Sequence, residues 1–186
     1  YLIVPYGSGI IELGEIPFFL YGLFLILAST NAFNITDGLD GLAAGCGILT
    51  FSFWAGLFFL EGNFPLAQVA IIFSGALLSF LWFNFWPARI FMGDCGSLSL
   101  GALMGILALF SGYSWLLALA GFVYLLDTLS VILQVFSFKV FGKRIFLMSP
   151  LHHHFELRGE KESKITVRFW IIQGVGVVAA LLGIMR

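Results

Sequence analysis

The chain has 186 residues, 60% of them hydrophobic and only 10% charged, with a formal net charge of -1. Soluble domains devote about a quarter of their residues to charge, so this composition excludes an ordinary water-soluble fold and points to an all-α, multispanning membrane protein. The one basic region is short and carries no nucleic-acid fold pattern, which argues against a nucleic-acid partner.

The opening Tyr1–Pro5 reads as a short extended piece ended by a proline. Gly7, Ser8 and Gly9 read as a turn, so residues 1–16 form a lead-in. Tyr1 is no initiator methionine, and the expectation is that an N-terminal portion precedes it. Six apolar segments follow: Pro17–Phe33, Leu42–Leu60, Leu66–Trp86, Ser97–Phe110, Trp115–Phe138 and Phe169–Ile184. In lipid each must be helical, because unpaired backbone groups are too costly there. The fourth is short and is expected to be tilted or partly exposed. Cys46 and Cys95 have no metal-ligand spacing and read as buried thiols.

Alternation places residues 34–41, 87–96 and 139–168 on one side of the membrane. Seven of the nine Lys and Arg residues lie between Lys139 and Arg168. Positive charge marks the cytoplasmic side, so these three loops are expected to be cytoplasmic and the lead-in extracytoplasmic. Lys139, Lys143 and Arg144 suit anionic lipid headgroups.

Asn31 and Asn34 share a helix face, and Asp37 and Asp40 repeat the spacing if the helix continues. Capping and turn formation is the plain reading. Close carboxylates on so apolar a chain instead favour a cation or a cation-bound phosphate. Gly93 and Gly96 bracket Asp94 ahead of a helix expected to begin at Ser97. Asp94 there suits Mg2+, or an Asx turn and cap. Arg89 reads as an interface anchor or a phosphate partner. Asp127 falls inside the fifth segment, away from the other polar groups, where a structural hydrogen bond competes with a functional role. His152, His153 and His154 cannot all face one centre from a helix, so a turn or irregular loop is expected. Zinc lacks a cysteine partner here, and phosphate contacts suit the histidines better. A transporter would want its polar groups at mid-bilayer, whereas these crowd one interface.

Asn31-Ala-Phe-Asn-Ile-Thr-Asp-Gly-Leu-Asp-Gly-Leu42, Asn84-Phe-Trp-Pro-Ala-Arg-Ile-Phe-Met-Gly-Asp-Cys-Gly-Ser-Leu98 and Pro150-Leu-His-His-His-Phe-Glu-Leu157 resemble three motifs of the phospho-N-acetylmuramoyl-pentapeptide transferase family. Thr128-Leu-Ser-Val-Ile-Leu-Gln134 and Val167-Arg-Phe-Trp-Ile-Ile172 are similar to it as well. The first two motifs are shared with the wider polyprenyl-phosphate N-acetylhexosamine-1-phosphate transferases, and the triple histidine marks the muramoyl branch. The resemblance implies the last six helices of a ten-helix fold in the bacterial inner membrane, with a homodimer as a compatible assembly. It implies transfer of phospho-MurNAc-pentapeptide from UDP-MurNAc-pentapeptide to undecaprenyl phosphate with Mg2+, giving lipid I and UMP. By the same resemblance Asp37, Asp40, Asp94 and His152 carry catalysis and Asp94 holds Mg2+. Asn31, Asn34, Asn84, Phe91, His153 and His154 bind substrate, with Phe91 near uracil. The family's Asp-Asp pair and nearby lysine are absent, so these residues alone are expected to be inactive. A sister enzyme using another UDP-N-acetylhexosamine, and an inactive membrane or binding subunit, are the alternatives.

Overall fold

The computed structural model describes residues 2–3 and 9–184. Two strands, β1 (Leu2–Ile3) and β2 (Ile10–Ile11), pair antiparallel ahead of the helices. The turn expected at Gly7–Gly9 falls largely outside the described residues, as do Tyr1, Pro5 and Arg186. The rest is helical: α1 (Glu15–Thr36), α2 (Leu42–Leu60), α3 (Phe64–Asn84), α4 (Gly93–Phe110), a 3-10 turn (Ser114–Leu116), α5 (Leu117–Ala120), α6 (Phe122–Phe141), α7 (Leu151–Leu157) and α8 (Glu162–Ile184). Six of these, α1–α4, α6 and α8, are long and apolar enough to cross a membrane.

Helix α2 is the hub. Ala43, Ala44, Cys46, Phe51, Trp54 and Phe58 are wholly buried around it. It packs along α3 and against α8, while α1 packs along α4. The α1–α4 pair runs antiparallel, with Gly22 facing Leu109 and Ser29 facing Gly105. A side chain at Gly101 would lie 2.7 Å from the Ser29 carbonyl, so the Gly-x-x-x-Gly spacing lets two backbones meet. Outward, α1 exposes Ile16, Phe19, Leu23 and Phe24, and α8 exposes Ile171, Val175 and Leu182. Apolar side chains turned outward on helices of this length are what a lipid solvent requires.

The expected fifth segment is not one helix. It breaks at Gly121, between α5 and α6. A break inside apolar surroundings frees backbone groups that must find partners. The buried Gln173 on α8 supplies them: its Oε1 accepts from Val123 N–H at 3.0 Å, and its Nε2 donates to the Ala120 carbonyl and to the Thr50 hydroxyl. Thr50 itself donates to Ala120 O at 2.7 Å. Hydropathy saw only a continuous apolar run, and the partners that make the break affordable come from α2 and α8.

Three other expectations are corrected. The fourth span begins at Gly93 rather than Ser97, so Asp94 sits in the first turn of α4. The three histidines lie on a helix, α7, rather than in an irregular loop. Cys46 is buried as expected, but Cys95 is exposed; both are free thiols.

Candidate active site at one end of the bundle

The end of α1 and the start of α4 meet through Asn34. Its Nδ2 donates to Asp94 Oδ1 at 3.0 Å and to Ser97 Oγ at 2.8 Å. The Ser97 hydroxyl donates in turn to the Gly93 carbonyl at 3.0 Å, closing the first turn of α4. Asp37 caps α1, with its backbone N–H on Phe33 O and Asn34 O. Partial burial, with the charge of Asp94 adding to it, pushes the Asp37 carboxyl up to about 6.

Asp40 and Asn84 build the floor. Gly41 takes the left-handed conformation (φ 76°) that opens α2, a region that favours glycine. Its N–H donates to Asn84 Oδ1 at 3.1 Å, and Asn84 Nδ2 donates to Ile90 O at 2.9 Å. Asp40 Oδ2 accepts from Ala88 N–H at 2.8 Å. The Asp40 N–H donates to Glu162 Oε1 at 2.7 Å, and its carbonyl accepts from Thr166 on α8. Trp170 Nε1 donates to Gly41 O at 3.2 Å. These bonds hold residues 85–92 against the α1–α2 turn. Between them lies a cavity of about 220 Å³ lined by Asp37, Asp40, Asn84, Phe91 and Gly93 among others. Phe91 is 76% exposed at its rim.

The histidines part company on α7, as side chains on successive helical residues must. His152 is buried, with Nδ1 at 2.8 Å from Asp127 Oδ2 on α6. His153 Nδ1 lies 2.8 Å from Glu156 Oε2 and is partly exposed. His154 Nδ1 accepts from Leu147 N–H at 3.1 Å, holding the segment before α7. Asp127 is therefore not remote from the polar groups. Through His152 it reaches the α1–α2 turn, because a Cβ on Gly38 would collide with His152 Nε2.

Asn31 stands apart. It is exposed, and its amide donates back to Leu27 O at 2.7 Å. Arg89 is exposed too, and its backbone N–H is spent on Phe83 O. Ser97 and Trp170 lay within the resembling stretches without a role of their own, and Glu162 and Thr166 were missed. Only tertiary contacts reveal what these four do, whereas Asp127 carried a signal as an ionisable residue within an apolar span. Among the described residues no group of three or more His, Cys, Asp or Glu side chains is placed to hold a metal ion. Asp37 and Asp94 are close enough for their like charges to repel, which makes them a candidate two-carboxylate face. That face fits Mg2+, which is usually bound by one or two carboxylates plus substrate phosphates and water.

A bundle of six membrane-length helices with polar groups gathered at one end is a multipass membrane protein. The chain belongs to glycosyl transferase family 4, whose family model matches residues 2–112, more than half of its length. It is homologous to phospho-N-acetylmuramoyl-pentapeptide-transferases. To that of Desulforamulus reducens it is 47% identical over 182 residues, covering 97% of this chain and 54% of that protein. To that of Aliarcobacter butzleri it is 48% identical over 180 residues, covering 89% and 51%. To that of Methylacidiphilum infernorum it is 46% identical over 172 residues, covering 84% and 46%. The chain spans about half the length of these relatives.

Proposed function

We propose that this chain is the second half of a phosphoglycosyl transferase in the bacterial inner membrane. It would move phospho-MurNAc-pentapeptide from UDP-MurNAc-pentapeptide to undecaprenyl phosphate, a membrane step of peptidoglycan synthesis. The observation that carries the reading is the gathering of Asp37, Asp40 and Asn84 around one cavity at one end of an apolar bundle, with Asp94, next to the cavity-lining Gly93, hydrogen-bonded to Asn34. Homology to relatives bearing that name supplies the donor and acceptor.

In the reaction, an oxygen of the polyprenyl phosphate attacks the sugar-linked phosphorus of the donor. The bond from that phosphorus to the bridging oxygen breaks, UMP leaves with the bonding electrons, and the lipid diphosphate sugar forms. Both substrates are anionic, so the step needs charge neutralisation and alignment. Asp94 and Asp37 are the residues that would hold Mg2+, which when bound supplies neutralisation of the diphosphate and the leaving group. Asn34 aims the Asp94 carboxylate. Asp40 and Asn84 shape the cavity wall, and Phe91 at its rim offers a face on which the uracil can stack. His153 and His154, each partly exposed on α7, would meet the sugar phosphate, while His152 serves from behind the Asp37–Asp40 turn. The concentration of Lys and Arg in residues 139–168 supports a cytoplasmic site. The test is transfer by the full-length polypeptide with Mg2+, undecaprenyl phosphate and the UDP donor: lipid I formation supports the reading, and no product from a folded enzyme refutes it.

A further inference from the structure

Nε2 of His152 and Oδ1 of Asp127 are buried polar atoms without a hydrogen-bond partner among the described residues. They belong to one pair, joined by the 2.8 Å contact from Nδ1 to Oδ2, with both side chains fully buried. A buried acceptor left unpaired is costly, so such atoms in a folded protein call for a reason. The surroundings supply one. An ionised carboxylate only accepts, so it pairs with a protonated Nδ1, and in the neutral imidazole that leaves the lone pair on Nε2. Nε2 abuts Gly38, and the residue on either side of that glycine, Asp37 and Leu39, lines the cavity. No side chain larger than hydrogen fits between the imidazole and this turn. Asp127 itself contributes nothing to the cavity lining.

We propose that Asp127 is a positioning residue for the transfer reaction. Its carboxylate fixes the rotamer and tautomer of His152, and the imidazole in turn sets the position of the turn that presents Asp37. The chain of contact runs from α6 through α7 to the α1–α2 turn, and it rests on the transferase reading given above. A group that orients a histidine through one ring nitrogen controls what the other nitrogen does.

The experiment uses the full-length enzyme in detergent, with histidine labelled with nitrogen-15 and His152 assigned by the signal lost in His152→Asn. Wild-type His152 is expected as the Nδ1-protonated tautomer. Asp127→Asn is expected to lower kcat by about 10–100-fold, with KM for the UDP donor changed by less than about threefold because the cavity contacts of Asn84 and Phe91 remain. Asp127→Glu, which keeps the carboxylate, is expected to recover most of the rate. An Nε2-protonated or doubly protonated His152 in the wild type overturns the proposal, and that readout holds even where Asp127→Asn fails to fold. Wild-type kcat in a folded Asp127→Asn enzyme, or equal losses in Asp127→Asn and Asp127→Glu, overturns it also. Absence of transfer by the wild type refutes the transferase reading instead, and the tautomer measured in the same sample still decides whether Asp127 sets the imidazole.

Discussion

The Asn34 amide ties the last turn of α1 to the first turn of α4, donating to Asp94 at 3.0 Å and to Ser97 at 2.8 Å. An amide that spends both N–H groups this way leaves the second Asp94 oxygen free to face a cation. Asn34→Ala is therefore expected to weaken Mg2+ binding: the metal concentration for half-maximal activity rises by about 10–100-fold. Metal titration of full-length wild type and variant measures it, and an unchanged midpoint would separate Asn34 from the metal.

Asp37 makes a pH prediction. Its carboxyl is pushed from 3.8 to about 6, first by burial and then by Asp94. Between those values the folded state binds more protons than the unfolded state, so this group's contribution to stability falls as pH rises from about 4 to about 6 and is level above. Asp37→Asn removes that slope. Unfolding midpoints across this window, without Mg2+, should show the variant gaining on the wild type as pH rises.

The break at Gly121 depends on Gln173. Gln173→Leu keeps the volume class but leaves Val123 N–H without its acceptor and takes away a donor from Ala120 O. The expected loss is about 1–3 kcal/mol for the orphaned amide, read as a lowered thermal midpoint in detergent.

Asn84 is buried and serves two backbone groups, Gly41 N–H and Ile90 O. Asn84→Ala should free residues 85–92 from the α1–α2 turn and spoil the cavity. Donor KM is expected to rise by about tenfold, with the apolar bundle intact by circular dichroism.

Much of this architecture was legible in the residues. The bounds of α2 match the expectation from Leu42 to Leu60, because a glycine at one end and Glu61-Gly62-Asn63 at the other punctuate it. Alternation of the spans put the loops that carry Asn34, Asp37, Asp40 and Asp94 at one end, while the contacts among them come from the fold. What escaped was tertiary in origin. Helix α7 is too short for apolar periodicity to reveal, and the Asp127–His152 pair needs α6 and α7 folded together. The break between α5 and α6 is stable only because Gln173, fifty residues from Val123, reaches it. Asn31, on the same helical face as Asn34 by spacing, turns its amide to Leu27 O instead of the cluster.

The central claim is that Asp94 and its neighbours run phosphosugar transfer from a muramoyl donor. The most direct measurement gives the full-length enzyme undecaprenyl phosphate, Mg2+ and either UDP-MurNAc-pentapeptide or UDP-N-acetylglucosamine, beside Asp94→Asn. The account predicts lipid I from the first donor alone and its loss in the variant. Turnover of the second donor in its place, or full activity in a folded Asp94→Asn enzyme, would contradict it.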